Sequence, residues 1–165
     1  MNGTPPLTGN RPLTAAVALV GFEAGDQDSI TRIVDSSGSP LPREYKWQIH
    51  LQASVESTMA SLRRERIPII LCDRDRTADA WKELLEQFDG LSSPPLLIVV
   101  SRLADDRLWV EALNLGAYDV LAKPFETAEV VRIFNLACLR WNQGNAALPA
   151  ASAASATPAA RYWVA

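Results

Sequence analysis

Histidine is almost missing from this chain of 165 residues: the only copy is His50, and cysteine and methionine occur twice each. There is no Ser-His-Asp constellation, and no glycine-rich phosphate loop either. A small enzyme is therefore a weak reading, and His50, in a strand-like segment, reads as structural. Cys72 and Cys138 make neither a metal-ligand spacing nor a disulfide framework, so a reduced, cytoplasmic setting is expected. Positive charge is not in excess. The 16 Lys and Arg face 19 Asp and Glu, for a net charge of -3, which gives no basic footprint for nucleic acid. Long apolar runs are lacking as well. The stretch Thr14 to Phe22 is too short to span a bilayer, so no membrane partner is expected. Behind Arg11 it has the length of a signal-peptide core. Gly25-Asp26-Gln27-Asp28-Ser29 then reads as a turn and helix start, with Ile30, Ile33 and Val34 at helical spacing, so the run is assigned to a first strand.

What the sequence does contain is an alternation of strands and helices sized for one domain. Trp47 to Leu51 makes a second strand, and Ser54 can cap a helix with Val55, Met59 and Leu62 on one face. Pro68 opens a third strand. Trp81, Leu84, Leu85 and Phe88 then form an apolar helical stripe. Gly90 and Pro94-Pro95 precede the fourth strand. Leu108, Ala112 and Leu115 mark the next helix, Gly116 stands where a left-handed cap would end it, and Val130, Ile133, Phe134 and Ala137 mark the last. Five strands joined by crossover helices imply an α/β fold with a parallel sheet and helices on both faces.

Three of the strands stop on a polar residue: Ile69-Ile70-Leu71-Cys72-Asp73, Leu97-Ile98-Val99-Val100-Ser101, and Asp119-Val120-Leu121-Ala122-Lys123-Pro124. Continuous apolar runs are the mark of parallel strands buried on both faces, and functional groups collect beyond their carboxyl ends. Asp73, Ser101 and Lys123 would thus meet at one rim. A carboxylate, a hydroxyl and an ammonium suit the handling of a phosphoryl group, as nucleophile and as hydrogen-bond and charge partners. Asp73 can also be read as a helix cap or turn residue, with Asp75 two places on as the fallback nucleophile. Ser101 can equally belong to the start of the following helix.

The order and spacing of these residues, sharpest over Gly116-Ala117-Tyr118-Asp119-Val120-Leu121-Ala122-Lys123-Pro124-Phe125, resemble the receiver domain of bacterial two-component response regulators. The resemblance covers residues 13–141. It implies the flavodoxin-like strand order 2-1-3-4-5. Outside it, the polar, Gly- and Pro-punctuated 1–12 reads as a flexible N-terminus and the Ala/Pro-rich 142–165 as a disordered tail. The resemblance also implies a stand-alone receiver in a phosphorelay. Asp73 would accept a phosphoryl group from a histidine kinase or phosphotransfer protein, Ser101 and Lys123 would bind it, and Lys123-Pro124 would be a cis peptide. A downstream protein partner, or a homodimer, would use the last helices, where Trp109 is either a contact or a packing residue. The closing Arg161-Tyr162-Trp163-Val164 is either a short docking motif or part of the tail.

The sequence departs from the family at three places. Receivers usually carry an acidic pair after the first strand to hold Mg2+. Here that place reads Val20-Gly21-Phe22-Glu23-Ala24-Gly25-Asp26, and Asp26 and Asp28 read as helix-start residues suited to the helix dipole. Asp73 and Glu23 are left as the ligands of a weak Mg2+ site. Thr77 replaces the proline four residues after the acceptor. Val120 replaces the switch aromatic, with Tyr118 two residues earlier. These losses keep a second function open: a degenerate receiver that binds protein partners without phosphorylation.

Overall fold

The computed structural model describes residues 13–35 and 45–146. The elements run β1 (Leu13–Val20), α1 (Ala24–Asp35), β2 (Tyr45–Gln52), α2 (Val55–Leu62), β3 (Ile69–Asp73), α3 (Ala80–Phe88), β4 (Leu96–Ser101), α4 (Asp106–Leu115), β5 (Asp119–Ala122) and α5 (Thr127–Ala146). The five strands form one parallel sheet in the order β2-β1-β3-β4-β5. The run from Thr14 is a strand flanked by β2 on one side and β3 on the other. No helix among the described residues is long and apolar enough to cross a membrane.

Side chains alternate across a strand, and the central strands use both faces for burial. Val17, Leu19, Ile69, Leu71, Ile98, Val100 and Leu121 pack with the apolar stripes of α1 and α5. Ala18, Val20, Ile70, Cys72, Leu97, Val99 and Val120 pack with those of α2, α3 and α4. Every residue of β3 is buried, the condition under which a parallel strand reads as an unbroken apolar run. Local signals set the helix ends. Ser54 and Ser57 form a reciprocal capping box at α2, and Gly116, at φ 103°, closes α4 in the left-handed region.

The last helix runs on to Ala146, past residue 141 where the resemblance ends, and its last turns find tertiary partners. The Asn142 amide donates to the Tyr45 hydroxyl at 2.6 Å, and the Arg66 guanidinium lies 5.9 Å from the Trp141 ring centroid. The terminal segments, the Arg161 to Val164 motif and residues 36–44 lie outside the described residues.

Candidate functional site

The adjacent strands β3, β4 and β5 deliver Asp73, Ser101 and Lys123 to the carboxyl rim of the sheet. All three are buried, and they are three of the four buried polar or charged residues among those described. The fourth, Thr58, returns its hydroxyl to the Ser54 carbonyl within α2. The Lys123 backbone amide donates to the Ser101 carbonyl at 3.0 Å, and the Arg74 amide to the Val100 carbonyl at 2.9 Å. Hydrogen bonding therefore continues past the strand ends and fixes where the side chains start. The Lys123-Pro124 peptide is cis.

The Lys123 ammonium is held by three carboxylates. Its Nζ donates to Asp73 Oδ2 at 2.7 Å and to Asp26 Oδ2 at 2.9 Å, and it lies 3.6 Å from Asp75 Oδ2. Burial works against the charge on Lys123, but the hydrogen bonds and charges of Asp73 and Asp26 outweigh it and push its pKa above the ordinary lysine value. The second oxygen of Asp73, Oδ1, accepts from the Asp75 backbone amide at 2.9 Å.

Asp75 reaches the opposite way, across to the start of the β4–α4 loop. Its Oδ1 accepts from the Ser101 hydroxyl at 2.7 Å and its Oδ2 from the Arg102 amide at 2.8 Å. Partial burial pushes its carboxyl up. The Ser101 and Arg102 hydrogen bonds and the Lys123 charge prevail and hold it below the usual carboxylate range.

Two placements differ in emphasis from what the sequence pattern suggests. Asp26 lies in the first turn of α1, as its helix-start assignment requires, yet its carboxylate also reaches Lys123 and belongs to the cluster. Position in a helix turn gave no sign of this; only the placement of α1 directly after a central strand, at the carboxyl rim, could have suggested it. Glu23, the expected partner of Asp73 for Mg2+, is engaged by guanidinium groups: Arg102 at 3.1 Å and Arg76 at 3.4 Å. Among the described residues no group of three or more His, Cys, Asp or Glu is placed to hold a metal ion. The Glu23 carboxylate is thus paired with two guanidinium groups rather than left open beside Asp73 as a Mg2+ ligand.

The loop after β3 is tied down without the family's proline. Both the Thr77 amide and its hydroxyl donate to the Asp73 carbonyl, at 3.1 and 2.6 Å. Thr77 also packs against Gly21, whose φ of +73° and close approach leave no room for a side chain: a Cβ there would stand 2.6 Å from Thr77 Cγ2. Cys72, beside this loop, is no nucleophile. Burial, only partly offset by the Thr77 hydroxyl, pushes its thiol up to about 12.

Val120, at the switch-aromatic position, is buried against the α2, α3 and α4 face, while Tyr118 packs half-buried on the α1 and α5 side. Trp109 stands 41 % exposed on α4 beside Val110, and Leu136 and Leu139 are exposed on α5. His50 contacts Glu65 at 3.3 Å on β2, away from this cluster of residues.

Solved structures similar to this one carry the same architecture. The signal receiver domain of an HD domain-containing protein from Pseudomonas fluorescens Pf-5 superposes with a TM-score of 0.66 at 18 % identity, covering 88 % of this chain and 100 % of that one. Full-length FixJ from B. japonicum gives 0.64 at 22 % identity, over 80 % of this chain and 61 % of FixJ. A response regulator from Thermotoga maritima gives 0.62 at 17 % identity, over 76 % and 98 %. The chain has the receiver fold of response regulators. No sequence family and no curated protein sequence matches it.

Proposed function

We propose that this chain is a receiver-type signalling module that binds a protein partner without being phosphorylated. The observation that carries this reading is the state of Asp73. Its side chain is 0 % exposed, and both carboxylate oxygens are occupied, by Lys123 and by the Asp75 amide. An aspartyl nucleophile has to meet its phosphodonor in line, with a cation to neutralise the developing charge. Here the carboxylate is enclosed, and the one carboxylate displaced from the expected acidic pair is bound to arginines. The partner surface would be α4 and α5, where Trp109, Val110, Leu136 and Leu139 are exposed; large aromatics are enriched in such interfaces.

A second reading is supported by the trio itself. Asp73, Ser101 and Lys123 share one rim, as phosphoryl transfer from a histidine kinase or phosphotransfer protein would require, with Mg2+ held weakly by Asp73 and by Glu23 once Glu23 leaves its arginines. The two readings separate on incubation with acetyl phosphate and Mg2+, followed by intact-mass measurement beside an Asp73→Ala control. An unmodified chain is the expected result. A phosphoryl adduct that disappears in the control would establish the second reading instead.

A further inference from the structure

Asp75 behaves as neither a cap nor a turn residue. A turn aspartate bonds its own backbone within two or three residues, whereas the Asp75 carboxylate reaches residues 26 and 27 positions along the chain. It meets a hydroxyl on β4, a backbone amide of the β4–α4 loop, and the ammonium that follows β5. Hydroxyl, amide and ammonium converging from separate elements make an oxyanion site. Ser101 is 0 % exposed and the Lys123 side chain 3 %, so these donors have little access to water as a substitute partner. The sequence pattern reserves Ser101 and Lys123 for a phosphoryl group on Asp73. In the structure a carboxylate of the chain itself already lies on both.

We propose that the Asp75 carboxylate permanently fills an oxyanion site built by Ser101, the Arg102 amide and Lys123, standing in for a bound phosphoryl group and fixing the β4–α4 loop. This rests on the phosphorylation-independent reading above. The route to the helix is short. The Ser101 hydroxyl donates to Asp75 and accepts from the Leu103 amide at 3.1 Å. The Leu103 side chain is exposed, and Asp105 then caps α4 by accepting from the Leu108 amide at 2.9 Å. Asp75 thereby sets the approach to the helix that presents Trp109. The ligand class of the site is a small oxyanion. Deleting the carboxylate leaves donors that cannot easily be satisfied, and a free carboxylate should replace it.

The test uses the full chain. In Asp75→Ala the Arg102 and Leu103 amides should lose about tenfold of their hydrogen-exchange protection, the equivalent of one lost hydrogen bond, and the Trp109 indole signal should shift. Sodium formate, which supplies the missing carboxylate, should restore both and raise Tm above an equal concentration of sodium chloride, while leaving the wild type unmoved. Wild-type protection retained in Asp75→Ala, or a formate response no larger than the chloride response, would overturn the proposal. Should the alanine variant not fold, Asp75→Asn reads the same amides: lost protection at either supports the proposal and full protection at both overturns it. A phosphoryl adduct on the wild type, with those two amides still protected, would sink the functional reading alone. Unprotected amides in an unmodified wild type would sink the oxyanion assignment alone.

Discussion

The sheet and its carboxyl rim are built on opposite principles. Both faces of the sheet are filled by aliphatic and aromatic side chains, and each face is a patchwork of many small contacts. The rim concentrates three of the four buried polar or charged residues among those described, with Asp73 paired to Lys123 directly and Ser101 joined through Asp75. Packing loss is local and graded, since each side chain contributes its own area and cavity. A charge network is collective: removing one member leaves the others buried and unmatched. The sheet is therefore the part that tolerates change, and the rim is the part that fixes one arrangement.

The largest expected effect comes from taking the cation out of the network. Lys123→Met leaves Asp73 buried without its ion pair and should lower unfolding free energy by about 3–5 kcal/mol, read by urea denaturation. Pairing it with Asp73→Leu should cost less than Lys123→Met alone; a double variant as unstable as the sum of the singles would break the contrast between collective rim and additive sheet. Leu71→Ala, fully buried against α1 and α5, should cost roughly 2–4 kcal/mol and leave Arg102 amide protection relative to global stability unchanged. Gly21→Ala puts a Cβ into Thr77 at a positive φ and should cost about 1–3 kcal/mol by the same measurement.

Acidification gives a smaller change of known sign. The Asp75 carboxyl is depressed, so its contribution is fully present above the ordinary carboxylate range, near pH 4, and is lost as pH falls through its folded value. Asp75→Asn should flatten that part of the Tm profile below about pH 4. Lys123 is raised, so its contribution is present below the ordinary lysine value and lost only as pH rises past its folded value, which leaves neutral pH untouched. Smallest of all in stability is Trp109→Ala, within about 0.5 kcal/mol for a half-exposed side chain. Its effect should appear in sedimentation or partner binding; unchanged association with unchanged folding would remove Trp109 from the interface.

Much of the architecture was legible in the sequence because the strands are buried on both faces. Ile69 to Asp73 and Leu97 to Ser101 could be read nearly to their bounds, since a short apolar run that ends on one polar residue suits a buried parallel strand and little else. Gly116 could be read because a left-handed cap needs a residue without Cβ. The end of α5 was not legible: Asn142 and Gln143 carry no apolar periodicity, and the contact that holds Asn142 comes from Tyr45, 97 residues away. The same limit applied at the rim. Asp73, Ser101 and Lys123 end strands, so their convergence follows from topology, whereas Asp26 and Asp75 enter from a helix turn and a loop. Their direction depends on side-chain geometry that no spacing rule encodes.

The balance of formal charge around Lys123 has a kinetic side. Three carboxylates, Asp26, Asp73 and Asp75, share one ammonium, while Arg76 and Arg102 stand beside them on Glu23, so four carboxylates face three cations and a small phosphodonor meets only a slight excess of negative charge. Such donors are anions, and repulsion of this kind slows encounter most at low ionic strength and fades as salt shortens the Debye length to about 8 Å under physiological conditions. Near physiological salt so small an excess is largely screened, so access to Asp73 is limited by contact: its carboxylate is buried and already bonded on both oxygens.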